Sequence, residues 1–456
     1  MDMADYGEEG RVGAFLRNPL MWTAFMLSLI YNLMNMLQAW NPAIPALGKY
    51  WTFGTVFTER PWSAFAGLSI AWRPENFGIG YLVSTEVLLS GWLFYLLVRS
   101  ANFFAAVGGY EIPGLPFDGE LAYGGYLALA IVLFWVGREH VGKVLHKAFT
   151  GDPAIDDSDE RLPYRWAFLG AVGAVAAIII WSHFSHFSPT FSIPYVLLLL
   201  GFGLVYSRVR AEGGVPAMWA FPFNQHKMMI FQLLGTRRLI RGNDPSDLVM
   251  LASYSWMGRG YYMSQMGYHI ENEALADRYE IKTRLFWLFT MAAFIFGLVI
   301  AYYFTLHSYY SYGALTLGGG TESGGSNTWN ARTQWEEVAA AIVRPDGPQL
   351  NPSLAICAGA VVTVLMVVLR FYWLQSPFHP LGYAISLNYG YALWSTFMFV
   401  WILKLAVQRL GGARLYRQLM PFFLGLVLAD LLAGGLSWLL LLIIGPQALG
   451  GYVVQF

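Results

Sequence analysis

The sequence predicts an all-α, polytopic integral membrane protein with about nine to eleven transmembrane helices, some of them broken or re-entrant. Of its 456 residues, 56% are hydrophobic and only 12% are charged, whereas soluble domains carry about 25% charged residues. Apolar runs long enough to cross a bilayer recur along the chain, and several are interrupted by Gly and Pro. Irregular backbone is stable inside a bilayer only where protein or water covers it. We therefore expect residues 1–456 to form a single helical membrane domain.

Nine apolar runs mark the most evident membrane spans. They cover residues 21–40, 77–98, 122–137, 166–181, 191–207, 285–306, 353–369, 391–403 and 422–444. Basic residues cluster at 138–147 and at 404–417. Because such residues are enriched on the cytoplasmic side, the loops at 148–162 and 405–418 are predicted to lie there.

The chain changes character between residues 191 and 235. A long apolar run meets charged residues at 208–212 and then breaks at 213–216, a Gly-Gly-Val-Pro sequence. The apolar residues that follow are cut by Pro222 and by polar side chains into pieces too short to span. Two interpretations stay open: a broken, re-entrant segment around which other helices pack, or an amphipathic loop on the cytoplasmic surface.

A second broken segment is expected at residues 371–388, which contain two prolines and a glycine. If residues 353–369 and 391–403 were successive crossings, the basic residues at 404–417 would lie outside, against the positive-inside bias. The conflict disappears if residues 371–388 themselves cross the bilayer as a discontinuous segment. We adopt that topology as the prediction.

Two stretches are expected to lie outside the hydrocarbon layer. The Trp-rich segment at 51–72 also carries Arg60, a composition that favours the headgroup level. Residues 307–350 contain GGGTESGGSN followed by WNARTQWEEVAAAIV. This pattern predicts an extramembrane loop with a flexible tip and an amphipathic helix. The amino-terminal twenty residues begin acidic without a cleavage signature, so we expect no cleaved signal peptide.

Charge and cysteine usage exclude several function classes. Lys+Arg and Asp+Glu are both 28, which gives no indication of a nucleic-acid partner. Cys357 is the single cysteine of the sequence, so an intrachain disulfide or a multi-cysteine metal site cannot form. No hydrolase, metalloprotease or nucleotide-binding motif stands in a suitable context. We therefore expect no enzyme activity, no cofactor and no bound metal.

Two carboxyl groups are the main candidates for a functional site. Glu86 and Asp430 lie near the middle of their predicted spans, where an ionised side chain costs at least about 2.5 kcal/mol. Such residues usually face a cavity or a partner. Two interpretations stay open: an ion-coupling site, or carboxyls that only join helices through hydrogen bonds.

Five further residues complete the candidate set for ion coupling or substrate binding. Arg208, Arg210 and Glu212 could recognise an anion or a peptide carboxylate, or the arginines could simply anchor the chain on the cytoplasmic side. His226 and His379 fall in predicted loops or span ends rather than in span centres. That placement argues against haem or chlorophyll ligation.

Six blocks of sequence carry a resemblance to a known group of proteins. They are NPAIPALG, TEVLLSGWLFYLL, DDSDERLPYRWAFLG, SRVRAEGGVP, HPLGYAISLNYG and ILKLAVQRLGGARLYRQLMPFFLGLVLADLL. With these blocks, nearly the whole chain resembles a family of uncharacterised bacterial integral membrane proteins built from two adjoining domains of unknown function. The resemblance implies a C-terminal part of a longer protein, with a helix pattern loosely similar to that of oligopeptide transporters.

Two classes of function follow from these observations. One is a secondary transporter of unknown substrate in the bacterial inner membrane, coupled to ions through Glu86 or Asp430. The other is a non-catalytic subunit of a larger membrane complex. A homo-oligomer or a partner membrane subunit is expected along residues 21–75, because Asn32 and Asn35 would otherwise face hydrocarbon at a cost of about 1 kcal/mol or more each.

Overall fold

The computed structural model describes residues 13–110, 112–158, 160–213, 224–258, 265–281, 285–314, 325–444 and 452. These residues form helices and one two-stranded hairpin, which confirms the all-α prediction. The helices are α1 Pro19–Trp40, α2 Pro74–Leu82, α3 Thr85–Val107, α4 Asp118–Val136, α5 Arg138–Thr150, α6 Tyr164–Phe184, α7 Pro189–Gly213, α8 Gln225–Leu234, α9 Ser246–Ser253, α10 Gln265–Arg278, α11 Phe286–Tyr312, α12 Gly325–Val343, α13 Leu350–Tyr372 and α14 Pro380–Ile444. The strands are β1 Tyr50–Thr52 and β2 Ser69–Ala71.

Among the described residues, 8 helices are long and apolar enough to cross a membrane. They are α1, α3, α4, α6, α7, α11, α13 and α14. The last of them has non-helical backbone at Tyr389 (φ −116°, ψ 15°) and at Gly412 (φ 59°, ψ −154°), and the residues after Gly412 form its second half. With 8 candidate spans among the described residues, the chain is a multi-pass membrane protein.

The chain divides into two compact units. Unit 1 comprises Met1–Gly125, Glu212–Phe221 and Ala358–Phe456. Unit 2 comprises Tyr126–Ala211 and Pro222–Cys357. Each unit is described by itself below.

In unit 1, helices α1, α2 and α3 pack along α14. Close backbone approaches to the second half of α14 require glycine. A Cβ on Gly78 would lie 2.4 Å from the Phe423 carbonyl oxygen, and one on Gly425 would lie 2.4 Å from the Met21 carbonyl oxygen. Glycine therefore lets α1 and α2 approach the second half of α14 at backbone distance.

The predicted second span is wrong in its boundaries. The apolar run at 77–98 is divided between α2, which ends at Leu82, and α3, which begins at Thr85. Ser84 is the N-cap of α3, and its hydroxyl accepts a hydrogen bond from the Val87 N–H at 3.4 Å. A serine N-cap starts a new helix even inside an apolar run. Glu86 consequently lies in the first turn of α3 and not in the middle of a span.

The predicted segment at residues 371–388 is interrupted at both ends, and its crossing of the bilayer stays a prediction. Helix α13 ends at Tyr372, α14 begins at Pro380, and helical backbone is broken again at Tyr389, which has φ −116° and ψ 15°. Proline is tolerated in the first turn of a helix because its missing N–H needs no partner there. Pro380 therefore starts the helical part of this segment rather than interrupting it.

Residues 41–84 form the irregular part of unit 1. Strands β1 and β2 pair antiparallel, with Trp51 opposite Ile70. Strand β2 contacts the interior of α14: the Ser69 hydroxyl donates to the Tyr391 carbonyl oxygen at 2.7 Å, and the Ala71 N–H donates to the Ser395 hydroxyl at 3.0 Å. Strand β2 is thus covered by protein beside a membrane helix, whereas all three residues of β1 are exposed.

Unit 2 has a core built from α7, α8, α9 and α12. Its buried side chains include Tyr195, Ile230, Leu251, Tyr254 and Val338. Helix α12 is the amphipathic helix predicted within residues 307–350, and it packs against α9. The predicted broken segment at 214–222 and the predicted flexible tip at 315–324 lie outside the described residues.

Candidate functional site

The Asp430 carboxylate lies buried in the second half of α14, within unit 1. Its side chain is 7% exposed. Oδ1 accepts a hydrogen bond from Asn32 Nδ2 at 2.6 Å and lies 3.5 Å from Lys49 Nζ. Oδ2 accepts from the Glu75 backbone N–H at 3.1 Å. Three chain segments distant in sequence therefore converge on one carboxylate.

Asn32 links the carboxylate to its cation. Its Nδ2 donates to Asp430 and also to the Ser28 carbonyl oxygen at 2.9 Å. Its Oδ1 accepts from Lys49 Nζ and from the Tyr452 hydroxyl, the latter at 2.9 Å. All hydrogen-bonding positions of this buried amide are directed at groups of unit 1.

The start of α2 contributes further groups around Asp430. Helix α2 begins at Pro74 with no side-chain cap of its own, and the Asp430 carboxylate accepts from its free Glu75 N–H. A carboxylate is stabilised there because the helix dipole places positive charge at the N-terminus. Arg73 is 2% exposed, and its Nη1 lies 3.6 Å from Glu75 Oε1. We call Asn32, Lys49, Arg73, Glu75 and Asp430 the Asp430 cluster.

The Asp430 cluster contains two cations and two carboxylates, so its formal charge is balanced. Burial lowers the pKa of the Lys49 ammonium, although the charge of Asp430 opposes that shift. Burial raises the pKa of the Glu75 carboxyl; Asp430 adds to the shift and Arg73 opposes it. Burial therefore biases both Lys49 and Glu75 toward their neutral forms.

A cavity of ≈ 370 Å³ lies beside the cluster and is lined by Lys49, Asn35, Gln38, Tyr50 and Tyr452, among others. Lys49 thus belongs both to the cavity wall and to the ion pair with Asp430. The Asp430 side chain is not among the described residues that line the cavity, and its link to the cavity is through its ion pair with Lys49.

The expectation that Asn32 and Asn35 would face hydrocarbon unless a partner subunit covered them is wrong. Asn32 is fully buried and Asn35 is 6% exposed, within unit 1 itself. The Asn35 amide donates to the Tyr31 carbonyl oxygen at 2.9 Å and accepts from the Gly48 N–H at 2.8 Å. The polar face of α1 turns toward residues 48–49 and α14, because those segments satisfy it. A protein interface along residues 21–75 is no longer required by these side chains, although it stays a prediction.

Glu86 is not part of the Asp430 cluster. It lies half-buried in the first turn of α3 and accepts a hydrogen bond from the Thr85 hydroxyl at 3.2 Å. Nearby, the buried Lys404 ammonium donates to the Val83 carbonyl oxygen at the break between α2 and α3. A carboxylate in a first turn is favoured by the helix dipole alone.

Arg210 and Glu212 have different partners. In unit 2, the Arg210 guanidinium donates two hydrogen bonds to Glu271, both at 2.8 Å, and lies 4.3 Å from the Tyr268 ring centroid. In unit 1, Glu212 Oε1 lies 3.0 Å from His379 Nε2. Arg208 is exposed. The three charged residues therefore do not form one anion site.

His379 precedes α14 and is 5% exposed. Its Nδ1 accepts from the Leu381 N–H at 3.2 Å. That nitrogen therefore carries no proton, and the Nε2–H of a neutral ring donates to Glu212. His379 holds the start of α14 in place, and its backbone N–H donates to the Ser90 hydroxyl at 2.7 Å.

His226 lies in the core of unit 2, fully buried. Its ring is 5.3 Å from that of Tyr195 and 5.4 Å from that of Phe202. Burial lowers the pKa of the imidazole to about 3. Its neighbour Lys227 is also buried and donates to Gln334 and Glu337 of α12. Within the described residues, no group of three or more His, Cys, Asp or Glu side chains could hold a metal ion.

Sequence reasoning singled out Asp430 but missed the residues that surround it. Lys49, Arg73 and Glu75 flank the segment 51–72, which the sequence places at the headgroup level. One signal was present: Arg73-Pro74-Glu75 combines a proline suited to a helix start with two opposite charges. The pairing with α14 depends on a separation of more than 350 residues, which no local pattern encodes.

Comparisons with known proteins agree with this architecture at the level of a family. A model described as "Family of unknown function (DUF6785)" matches residues 1–449. No curated protein matches the chain, and no solved structure matches it. Neither the similarity to oligopeptide transporters nor the correspondence to a C-terminal part gains support from these comparisons. Because the match covers nearly the whole chain, the protein belongs to the family of unknown function DUF6785.

Proposed function

We propose that this chain is a non-enzymatic secondary transporter in which the Lys49–Asp430 pair is the ion-coupling site. One observation carries the proposal: a buried lysine–aspartate pair stands between membrane helices, and its lysine lines a cavity of ≈ 370 Å³. Ionisable side chains inside membrane bundles usually mark ion or proton paths. The bacterial cytoplasmic membrane, with its proton gradient, is the setting that the proposal assumes.

The surroundings of the pair also support coupling. Transporters often bind ions where helices are interrupted and free backbone groups point into the bundle. Here the free N–H of Glu75 at the start of α2 points at Asp430, beside the irregular segment 41–84. A change in the protonation of Asp430 would alter its bonds to α1, to Lys49 and to α2 together. Such a carboxylate can bias helix packing.

Proteoliposomes test this function. The protein is reconstituted with a pH-sensitive dye inside, and small carboxylates, phosphate, amino acids, dipeptides and sugars are added outside in turn. We expect at least one compound to drive proton movement with the wild-type protein and none to do so with Asp430→Asn. The matched control is Asp118→Asn, since Asp118 pairs with Arg99 and not with the Asp430 cluster. Proton movement that persists in Asp430→Asn would contradict the proposal.

A second candidate function, a subunit of a membrane assembly, has its own observation. Helix α11 spans 27 residues and has no buried residue. A Cβ added to Gly297 would meet no atom within 4 Å, and Ala293 and Ala301 lie one turn to either side. Helices associate in membranes through such small residues. We expect Gly297→Leu to dissociate an oligomer in mild detergent, as measured by native mass spectrometry, and a monomeric wild-type protein would contradict this candidate.

A further inference from the structure

We infer that the cavity beside Lys49 binds a small organic anion, and that this anion and a proton on Asp430 bind cooperatively. The inference rests on the proposed function and adds a substrate class to it. The structure supports it through three features: the lining of the cavity, the position of Lys49, and the charge balance of the Asp430 cluster.

The cavity has the size and lining of a small-ligand site. Its volume of ≈ 370 Å³ lies within the range of about 300–1,000 Å³ found for ligand pockets. Asn35 and Gln38 contribute amides, and Tyr50 and Tyr452 contribute aromatic walls. Among the described residues that line the cavity, Lys49 carries the one formal charge. A positive group among aromatic and amide walls suits an amphipathic carboxylate.

Lys49 connects the cavity to the buried carboxylate. An ammonium has three donor positions. Lys49 Nζ donates to Asn32 Oδ1 and lies 3.5 Å from Asp430 Oδ1. It also lies 5.4 Å from the Tyr31 ring centroid and 5.2 Å from that of Tyr452, whose side chain lines the cavity. An anion in the cavity would compete with Asp430 for the same ammonium.

Because the charges of the Asp430 cluster are balanced, the competition between an anion and Asp430 for the Lys49 ammonium depends on whether Asp430 carries a proton. The charged groups that face Asp430 are Lys49 from the loop after α1, and Arg73 and Glu75 from the start of α2. The hydroxyls of Tyr31 and Tyr452 are the other titratable groups near it. Two cations already balance two carboxylates, so a third anion would leave one buried negative charge uncompensated, which is costly. A proton on Asp430 removes that cost and releases Lys49 for the incoming anion.

The consequence is thermodynamic linkage. If a proton strengthens anion binding, the anion must strengthen proton binding by the same factor. A bound anion and a proton together leave the cluster at its original net charge. One proton should therefore be taken up for each anion bound, and the binding step itself should move no net charge into the bundle.

Isothermal titration calorimetry of the full-length protein in detergent tests this linkage. The probes are benzoate, acetate and inorganic phosphate, with benzamide as the uncharged counterpart of benzoate. Titrations in two buffers with different protonation enthalpies give the number of protons taken up. We expect benzoate to bind with close to one proton taken up and to bind more weakly as the pH rises. We expect benzamide not to bind.

Two variants separate the roles of the pair. Asp430→Asn mimics the protonated acid, so we expect it to bind benzoate without proton uptake and without pH dependence. The double variant Lys49→Met/Asp430→Asn leaves no unpaired charge between these positions and should fold, but it should lose benzoate binding. Glu75→Gln distinguishes the second carboxyl: proton uptake that disappears in Glu75→Gln but persists in Asp430→Asn would overturn the assignment to Asp430.

The remaining outcomes are also decisive. Equal binding of benzoate and benzamide would overturn the anion assignment. Failure of all three anions to bind the wild-type protein would overturn it as well. If in that case another class of compound still drives Asp430-dependent proton movement in proteoliposomes, only the substrate class is wrong. If no compound drives such proton movement, both the substrate class and the proposed transport function are wrong.

Discussion

Two buried lysines that pair with carboxylates, Lys49 of unit 1 and Lys227 of unit 2, have partners that differ in exposure. In unit 1, Lys49 and its partner Asp430 are both inaccessible, with side chains 6% and 7% exposed. In unit 2, the Lys227 side chain is 2% exposed, but that of its partner Glu337 is 40% exposed. Glu337 keeps contact with solvent or headgroups, whereas Asp430 depends entirely on protein groups. The two pairs therefore differ in the exposure of the carboxylate and not in that of the lysine.

The groups beside the two lysines also differ in their response to pH. Burial and the charge of Asp430 raise the pKa of Glu75 in unit 1. Burial lowers the pKa of His226 in unit 2 to about 3. Acid should consequently stabilise the Asp430 cluster and destabilise the core around His226.

Removal of Lys49 should have the largest effect. In Lys49→Met, the Asp430 carboxylate loses its cation while it stays buried, and breaking such a pair costs about 3–5 kcal/mol. Chemical unfolding in detergent micelles measures the loss. The double variant Lys49→Met/Asp430→Asn should recover most of it, because no buried charge is then left without its partner at these two positions. A double variant as unstable as the single one would contradict this account.

Removal of Lys227 should cost less. In Lys227→Met, Glu337 can be hydrated, so the loss is confined to hydrogen bonds to Gln334 and Glu337 and amounts to about 1–3 kcal/mol. The same unfolding measurement applies. A loss equal to that of Lys49→Met would show that the exposure of the carboxylate does not distinguish the pairs.

The pH dependence of unit 1 should depend on Glu75. Its folded-state pKa is raised above its ordinary value of 4.5. Its contribution to stability is therefore present in full below pH 4.5 and is lost as the pH rises through the folded-state pKa. The melting temperature of the wild-type protein should fall relative to that of Glu75→Gln across this window. A constant difference between the two proteins would exclude the role assigned to Glu75.

The pH dependence of unit 2 should have the opposite sign. The pKa of His226 falls from 6.5 to about 3 on folding. The corresponding stability is present above pH 6.5 and is lost as the pH falls toward 3. His226→Asn should weaken this acid sensitivity, measured as the change in melting temperature between neutral and acidic buffer. Unchanged acid sensitivity would indicate that His226 is not the group that titrates.

Much of the fold follows from sequence, because apolar runs and helix ends are local properties. The predicted span 353–369 lies within α13, Leu350–Tyr372, and the predicted span 285–306 has the correct start, although α11 continues to Tyr312. Helix boundaries are predicted wrongly where a polar residue or a proline inside an apolar run can mark either an interruption or a helix start. Ser84 inside an apolar run is a helix start, and Pro380 begins a helix instead of breaking one. An apolar pattern alone cannot distinguish these cases.

The site was less predictable than the fold. Asp430 is conspicuous because a carboxyl stands in an apolar run. Glu86 gives the same signal, yet it lies in a first helix turn, where the dipole stabilises it. Lys49 lies in an irregular segment, and its burial depends on contacts with α1 and α14. Tertiary packing, not sequence spacing, makes this lysine part of the site.

The central claim is that Asp430 exchanges a proton while it is held by Asn32, Lys49 and the start of α2. Infrared difference spectroscopy of the reconstituted protein, recorded between neutral and acidic pH, observes the carbonyl stretch of a protonated carboxyl directly. We predict a band that is present in the wild-type protein and in Glu75→Gln and absent from Asp430→Asn. A wild-type spectrum that loses no band on Asp430→Asn would contradict the account, because Asp430 would then be a fixed structural charge.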